Sequence, residues 1–193
     1  INSRVRQNIK KIKKVKKNFD GDGFKLIENK INFNLTTDQI VAINEINKDL
    51  QSNEKMFRLL QGDVGSGKTI VSLISSLNVI RSGFQVGFMA PTEILARQHF
   101  NLAKKIFDTN IDIKLLTSKT DNKDRKNIIN KLANNKINMI FGTHSLFQEK
   151  IKFKNLGLII IDEQHKFGVK QRKKLSDKGG KNCDVLVMSA TPI

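Results

Sequence analysis

A chain of 193 residues, 38% of them hydrophobic, is long enough to bury one core with a short appendage and too apolar to remain unfolded. Its 35 Lys and Arg against 18 Asp and Glu give a formal net charge of +17 and a pI near 10.1. That balance points to a polyanionic partner, nucleic acid first and an acidic membrane surface second, although a chain rich in Lys, Asn and Ile and lacking Trp and Tyr also reads as biased residue usage. No apolar segment approaches the length of a membrane span, and no continuous apolar stretch follows the basic N-terminus. Cys183 is the single cysteine, so an internal disulfide is excluded and a small core residue is expected there. A cytoplasmic protein is the resulting expectation.

Residues 1–17 carry eight Lys or Arg and no acid, with Ile1, Val5, Ile9, Ile12 and Val15 at helical spacing. This predicts a basic amphipathic helix over 1–20, either showing positive charge to a polyanion or serving as a linker with a solvated face. Asp20-Gly21-Asp22-Gly23 interrupts the pattern and sets the expected boundary with a main domain over 24–193. Thr36 or Thr37 is the N-cap of the next helix, with Gln39 in its first turn and Ile40, Val41, Ile43, Ile46 and Leu50 on one apolar side. Strand-like runs follow at 57–61, 85–90, 113–116, 137–141, 158–161 and 185–188, and helical patterns from Ile70 to Ile80, at 92–107 and at 122–134. Strands alternating with helices predict an α/β fold, a mostly parallel sheet with helices on both faces, whose ligands lie at the carboxyl ends of the strands.

The stretch Leu59 to Val71 joins a short apolar run to a helical pattern through a glycine-rich turn. Gly62, Gly67, Lys68 and Thr69 satisfy G-x-x-x-x-G-K-[ST], the spacing of a phosphate cradle. Glycine at 62, 65 and 67 lets the backbone adopt positive φ, so that successive N–H groups converge on an anion, and the following helix adds the field of its N-terminus. Lys68 then serves the β and γ phosphates and the Thr69 hydroxyl a Mg²⁺ position. Downstream, the apolar run Leu158 to Ile161 ends in Asp162-Glu163-Gln164-His165. Asp162 suits the Mg²⁺ hydration shell and Glu163 the orientation and deprotonation of a water that attacks the γ-phosphate. A solvated strand end is the plainer alternative for two acids.

In chain order, Gly62 to Thr69, Asp162 to His165 and Ser189-Ala190-Thr191-Pro192 resemble the first three main motifs of superfamily-two helicases, whose fold is a RecA-like P-loop NTPase. Leu59 to Thr69, Met89 to His99, Gly142 to His144 and Asp162 to Arg172 are similar, more narrowly, to the RecG family of bacterial branch-migration helicases. Translocases of the transcription-repair coupling and primosomal types share that motor, but Gln164 with Phe167-Gly168-Val169 favours the RecG family. A DNA-binding or docking module without catalysis is the rival of another class.

The resemblance implies ATP and Mg²⁺ as cofactors and DNA as partner. By its motifs, Gln39 reads the adenine edge and Phe33 flanks the ring, while Gly62, Val64, Gly65, Ser66, Gly67, Lys68 and Thr69 surround the phosphates. Lys68, Asp162, Glu163 and His165 carry the catalytic roles, with Thr69 and Asp162 toward the metal. Thr92, Arg97, Thr143 and His144 contact the DNA backbone, and His165, Ser189 and Thr191 link nucleotide state to DNA grip. Lys170 to Lys174, with Arg172 among them, is either a second DNA contact or a solvated helix face. His99 is expected to be an ordinary satisfied histidine, a reading also open for His144. The resemblance further implies a second RecA-like domain with an arginine finger and an OB-fold wedge, neither found within residues 1–193. A monomer that remodels stalled forks and Holliday junctions in repair and recombination would result, of which this chain is a first motor domain cut after the third motif.

Overall fold

Local sequence explains where each element begins. The computed structural model describes residues 12–20, 23–148, 150–162 and 180–190. Thr36 caps helix α1 (Thr37–Leu50) as half of a capping box: its side chain accepts from the Gln39 N–H while the Gln39 side chain accepts from the Thr36 N–H. Thr92 caps α3 (Glu93–Ile106) and Asp121 caps α4 (Asn122–Ala133), each through a side-chain oxygen on an N–H three residues on. Helix α2 (Lys68–Arg81) has no such cap and starts from Gly67 in the left-handed conformation. Its residues from Ile70 to Val79 are all buried, as befits a helix walled in on every side. Along α1 the buried stripe is Gln39, Ala42, Ile43, Ile46 and Leu50. Ile40 and Val41, expected on that side, stay 47% and 50% exposed, because the stripe follows the i, i+3, i+4, i+7 row that starts at Gln39.

Six strands form one sheet: β1 (Phe57–Gln61), β2 (Gln85–Met89), β3 (Ile113–Leu116), β4 (Met139–Gly142), β5 (Leu156–Asp162) and β6 (Asp184–Ser189). Their order is β1-β6-β5-β2-β4-β3 and every pairing is parallel. The four inner strands β6, β5, β2 and β4 are buried on both faces, whereas the edge strands β1 and β3 are only partly covered, and alternate residues serve opposite sides. Leu158 and Ile160 join Phe88, Phe141 and Leu186 in the core under α1, α2 and α3. Ile159 and Ile161 turn to the other face with Val185 and Val187. Helix α4 covers that other face near β3 and β4, where Leu132 meets Leu116 and Ile140. The expected α/β sheet with helices on both faces is therefore the observed one. Several strand ends differ from expectation: β5 and β6 are longer at both ends, β2 stops one residue early, and Ile137 is buried but precedes β4. Cys183 is buried, as expected of a core thiol.

The expected basic helix is not what residues 12–20 form. That segment is not helical; Lys13 forms an antiparallel bridge to Glu54, and of its lysines Lys13 and Lys16 are exposed while Lys14 and Lys17 turn inward. Ile12 and Val15 are 39% and 55% exposed, whereas the side chains of Lys14 and Lys17 are fully buried. The cause is Asp184, the first residue of β6, whose Oδ2 accepts from Lys14 Nζ at 2.6 Å and from Lys17 Nζ at 2.7 Å. Carbonyls complete the ammonium shells: Asp49 and Leu50 for Lys14, Asn182 for Lys17, which also lies over the Phe84 ring. A charge can leave water only when paired and hydrogen-bonded, and this site supplies both. Residues 1–11 of the expected helix lie outside the described residues.

Candidate nucleotide and nucleic-acid site

Because all six strands run the same way, their carboxyl ends share one edge, and the register aligns them residue by residue. Gln61 is level with Ser189, Met188 with Asp162, Ile161 with Met89, and Met89 with Gly142. The phosphate-loop pattern after β1, Asp162 at the end of β5, Thr92 after β2, Thr143 after β4 and Ser189 on β6 therefore face one side of the sheet. β1 and β5 flank β6, so the loop and Asp162 are two strand spacings apart, about 10 Å.

The turn from β1 to α2 is shaped by two glycines. Positive φ is found at Gly65 and Gly67, 81° and 80°, and not at Gly62. At Gly67 a side chain has no room either, since a Cβ would lie 2.2 Å from Gln39 Nε2. Gly62 N–H donates to the Ser189 carbonyl at 3.3 Å and Ser66 N–H to that of Asp63 at 3.1 Å, so the loop is tied to β6 and to itself. Lys68 Nζ donates to the carbonyls of Gly62 and Asp63 at 2.6 and 2.7 Å. Burial holds this ammonium below the ordinary lysine range, opposed by the charges of Asp162 and Asp63. The charge of Asp162 bears on Lys68 across β6, in keeping with the edge of the sheet that the loop and the acid share. Thr69 is half-buried in the first turn of α2, and Val64, at the tip of the loop, is 89% exposed.

Gln39 touches the loop directly. Its Oε1 accepts from Thr36 N–H at 3.0 Å and its Nε2 donates to the Ser66 carbonyl at 2.9 Å, so both amide groups are engaged. Phe33, in the bend before α1, is 48% exposed. Among the described residues no group of three or more His, Cys, Asp or Glu could hold a metal alone. One carboxylate and one hydroxyl at the mouth of a phosphate cradle suit Mg²⁺, which keeps most of its ligands as water and phosphate oxygen.

Asp162 has a partner the sequence did not disclose. His99 Nε2 lies 2.8 Å from its Oδ2, with the two side chains 12% and 14% exposed. The expected satisfied histidine is thus satisfied by the candidate metal carboxylate. It sits 63 positions away, and only the string Met89 to His99 could have drawn attention to it.

Along the same edge Thr92, Arg97 and His144 are exposed and Thr143 is half-buried. Thr92 opens a helix of 14 residues, so its end carries a helix field. His144 instead begins a 3-10 turn of four residues after Thr143, whose side chain makes no capping bond, and that turn is not an α-helix. Glu93 faces away from any phosphate role, since its carboxylate accepts from Ser118 N–H at 2.5 Å, which holds it below the usual carboxylate range. Glu93, Ile94, Arg97, Gln98, Asn101 and Lys119 line an open groove beside it. Ser189 is 1% exposed. Glu163, His165, Lys170, Arg172 and Thr191 lie outside the described residues, as does the rest of 163–179. No described helix is long and apolar enough to cross a membrane.

Comparisons with known proteins agree with this arrangement. Residues 36–193 match the family model described as DEAD/DEAH box helicase. The ATP-dependent DNA helicase RecG of Borreliella burgdorferi is 49% identical over 179 residues, 92% of this chain and 26% of that protein. RecG of Thermotoga maritima is 51% identical over 162 residues, 83% of this chain and 21% of its own length. A solved structure of RecG bound to a three-way DNA junction superposes with a TM-score of 0.83 at 43% identity, covering 94% of this chain and 24% of that one. The chain thus spans about a quarter of the length of the relatives it matches.

Proposed function

The chain belongs to the DEAD/DEAH box helicase family, and from that premise we propose that it is the first motor domain of a RecG-type ATP-dependent DNA helicase. In this reading a second RecA-like domain and an OB-fold wedge of the same protein complete it, and the whole acts as a cytoplasmic monomer on branched DNA, remodelling stalled forks and Holliday junctions. The observation that carries the nucleotide part is the shared edge: a glycine cradle with Lys68 inside the field of Asp162.

Each residue then has a task. Lys68 exchanges the carbonyls of Gly62 and Asp63 for the β and γ phosphates, a trade of neutral acceptors for charged ones. The Thr69 hydroxyl and the Asp162 carboxylate would hold Mg²⁺, which when bound neutralises the charge that develops on the phosphate oxygens. Glu163 orients the attacking water and takes its proton as the water oxygen bonds to the γ-phosphorus and the bond to the bridging β–γ oxygen breaks. Gln39 reads adenine by giving up its bond to Ser66, which would link base recognition to the shape of the loop. Thr92, Arg97, Thr143 and His144 contact DNA phosphates, which fix position without reading sequence.

The test is nucleotide binding by Lys68→Ala, read by fluorescence of a labelled ATP. Loss of charge-assisted bonds worth about 1.5–3 kcal/mol predicts at least tenfold weaker binding, and unchanged affinity refutes the cradle. DNA affinity that falls steeply with salt and also depends on ATP or ADP fits a motor; indifference to nucleotide fits a docking module instead.

A further inference from the structure

Helix α3 has two unlike sides. Ile94, Arg97, Gln98 and Asn101 line the open groove, while Ala96, Ala103 and Ile106 are buried against the sheet. His99 is on the inner side, about 200° around the helix from Arg97. Its ring packs on Phe88 with centroids 4.7 Å apart, Phe88 stacks on Phe141 at 5.2 Å, and Phe100 meets Phe141 edge-on at 5.9 Å. The imidazole thus packs on Phe88 of β2, which is itself held by Phe141 of β4, and its Nε2 is aimed at Asp162 Oδ2. Among the described residues His99 is the hydrogen-bond partner of Asp162.

We propose that His99 is a positioning residue: it fixes the Asp162 carboxylate so that Oδ1 faces the cation site, and it makes that orientation depend on the seating of α3. The inference rests on the nucleotide and DNA reading above and deepens it. A carboxylate with one oxygen bound to a nearly buried donor loses rotational freedom, so less order remains to be imposed when the cation arrives. Helix α3 follows β2, which pairs with β5 so that Met89 is level with Ile161, one residue before Asp162. A small shift of α3, made when Thr92 and Arg97 engage phosphate, therefore moves the donor of Asp162 through a single hydrogen bond. DNA contact and cation site are joined by one side chain.

Two variants separate the bond from the packing. His99→Phe keeps a ring against Phe88 and removes the donor; His99→Gln places an amide nitrogen near the position of Nε2. The readout is the Mg²⁺ concentration giving half-maximal binding of fluorescent ATP, measured with and without duplex DNA, next to nucleotide affinity in EDTA. His99→Phe is expected to need about tenfold more Mg²⁺, the usual effect of losing the hydrogen-bond partner of a metal ligand. It should keep the parent's affinity in EDTA and lose the shift that DNA causes in the parent. His99→Gln should stay within about threefold of the parent, as a donor at that position permits. A midpoint for His99→Phe within twofold of the parent overturns the proposal, and so does a His99→Gln as impaired as His99→Phe. If His99→Phe fails to fold, as circular dichroism would reveal, His99→Leu, which also lacks the donor, is read against the same thresholds. Lys68→Ala distinguishes the two levels: weakened binding there with a normal His99→Phe sinks only this inference, whereas unaltered binding by Lys68→Ala sinks the nucleotide reading itself.

Discussion

Replacing Asp184 by Asn tests the buried charge cluster at the start of β6. The substitution preserves shape and, through Oδ1, the bond from Met56 N–H, but leaves two lysine side chains of 0% exposure without the carboxylate they bond to, Lys14 keeping only the weaker pull of Asp49. Removing one partner of a buried ion pair costs about 3–5 kcal/mol, and the carbonyls around both ammoniums keep the figure from doubling. In a domain of this size that corresponds to a fall in melting temperature of roughly 6–20 °C, followed by circular dichroism. Lys17→Met should cost less, because Asp184 keeps Lys14. A pH dependence follows with a definite sign. Burial already pushes the Lys14 pKa down against the pull of Asp184; without that pull it falls further below the value of 10.5 for an exposed lysine. The folded variant then sheds a proton that the unfolded chain retains, so its deficit narrows as pH rises from 7 toward 10. A melting point within about 3 °C of the parent, or a deficit that widens with pH, would refute the assignment.

Gly67→Ala combines a positive φ of 80° with a Cβ placed 2.2 Å from Gln39 Nε2. It should cost about 1–2 kcal/mol for the left-handed conformation alone and weaken nucleotide binding as the loop is forced off Gln39; parental affinity would show that the loop relaxes freely. Burial pushes the Cys183 thiol up from 9.0 to about 12, so it should resist iodoacetamide at pH 8 in the folded protein and react once denatured. The same shift makes stability fall as pH rises above 9, since the unfolded thiol ionises first. Rapid alkylation of the native protein would contradict its burial.

Features that depend on neighbours in the chain were legible before any fold was known. The phosphate loop, the Thr36 cap, α2 and the run leading to Asp162 are contiguous patterns, because φ freedom, capping and apolar periodicity act over a few residues. The strand order β1-β6-β5-β2-β4-β3 was not readable in that way, and everything that depends on it was decided by the tertiary structure. Asp184 lies 167 positions from Lys17 and draws two lysines of an expected amphipathic helix inward over residues 12–20, because only a distant carboxylate makes burying those charges affordable. Gln39 reaches the phosphate loop across 27 positions, and His99 reaches Asp162 only because α3 follows the strand beside β5. Local spacing supplied the groups that could do chemistry; the order of the strands chose which of them meet.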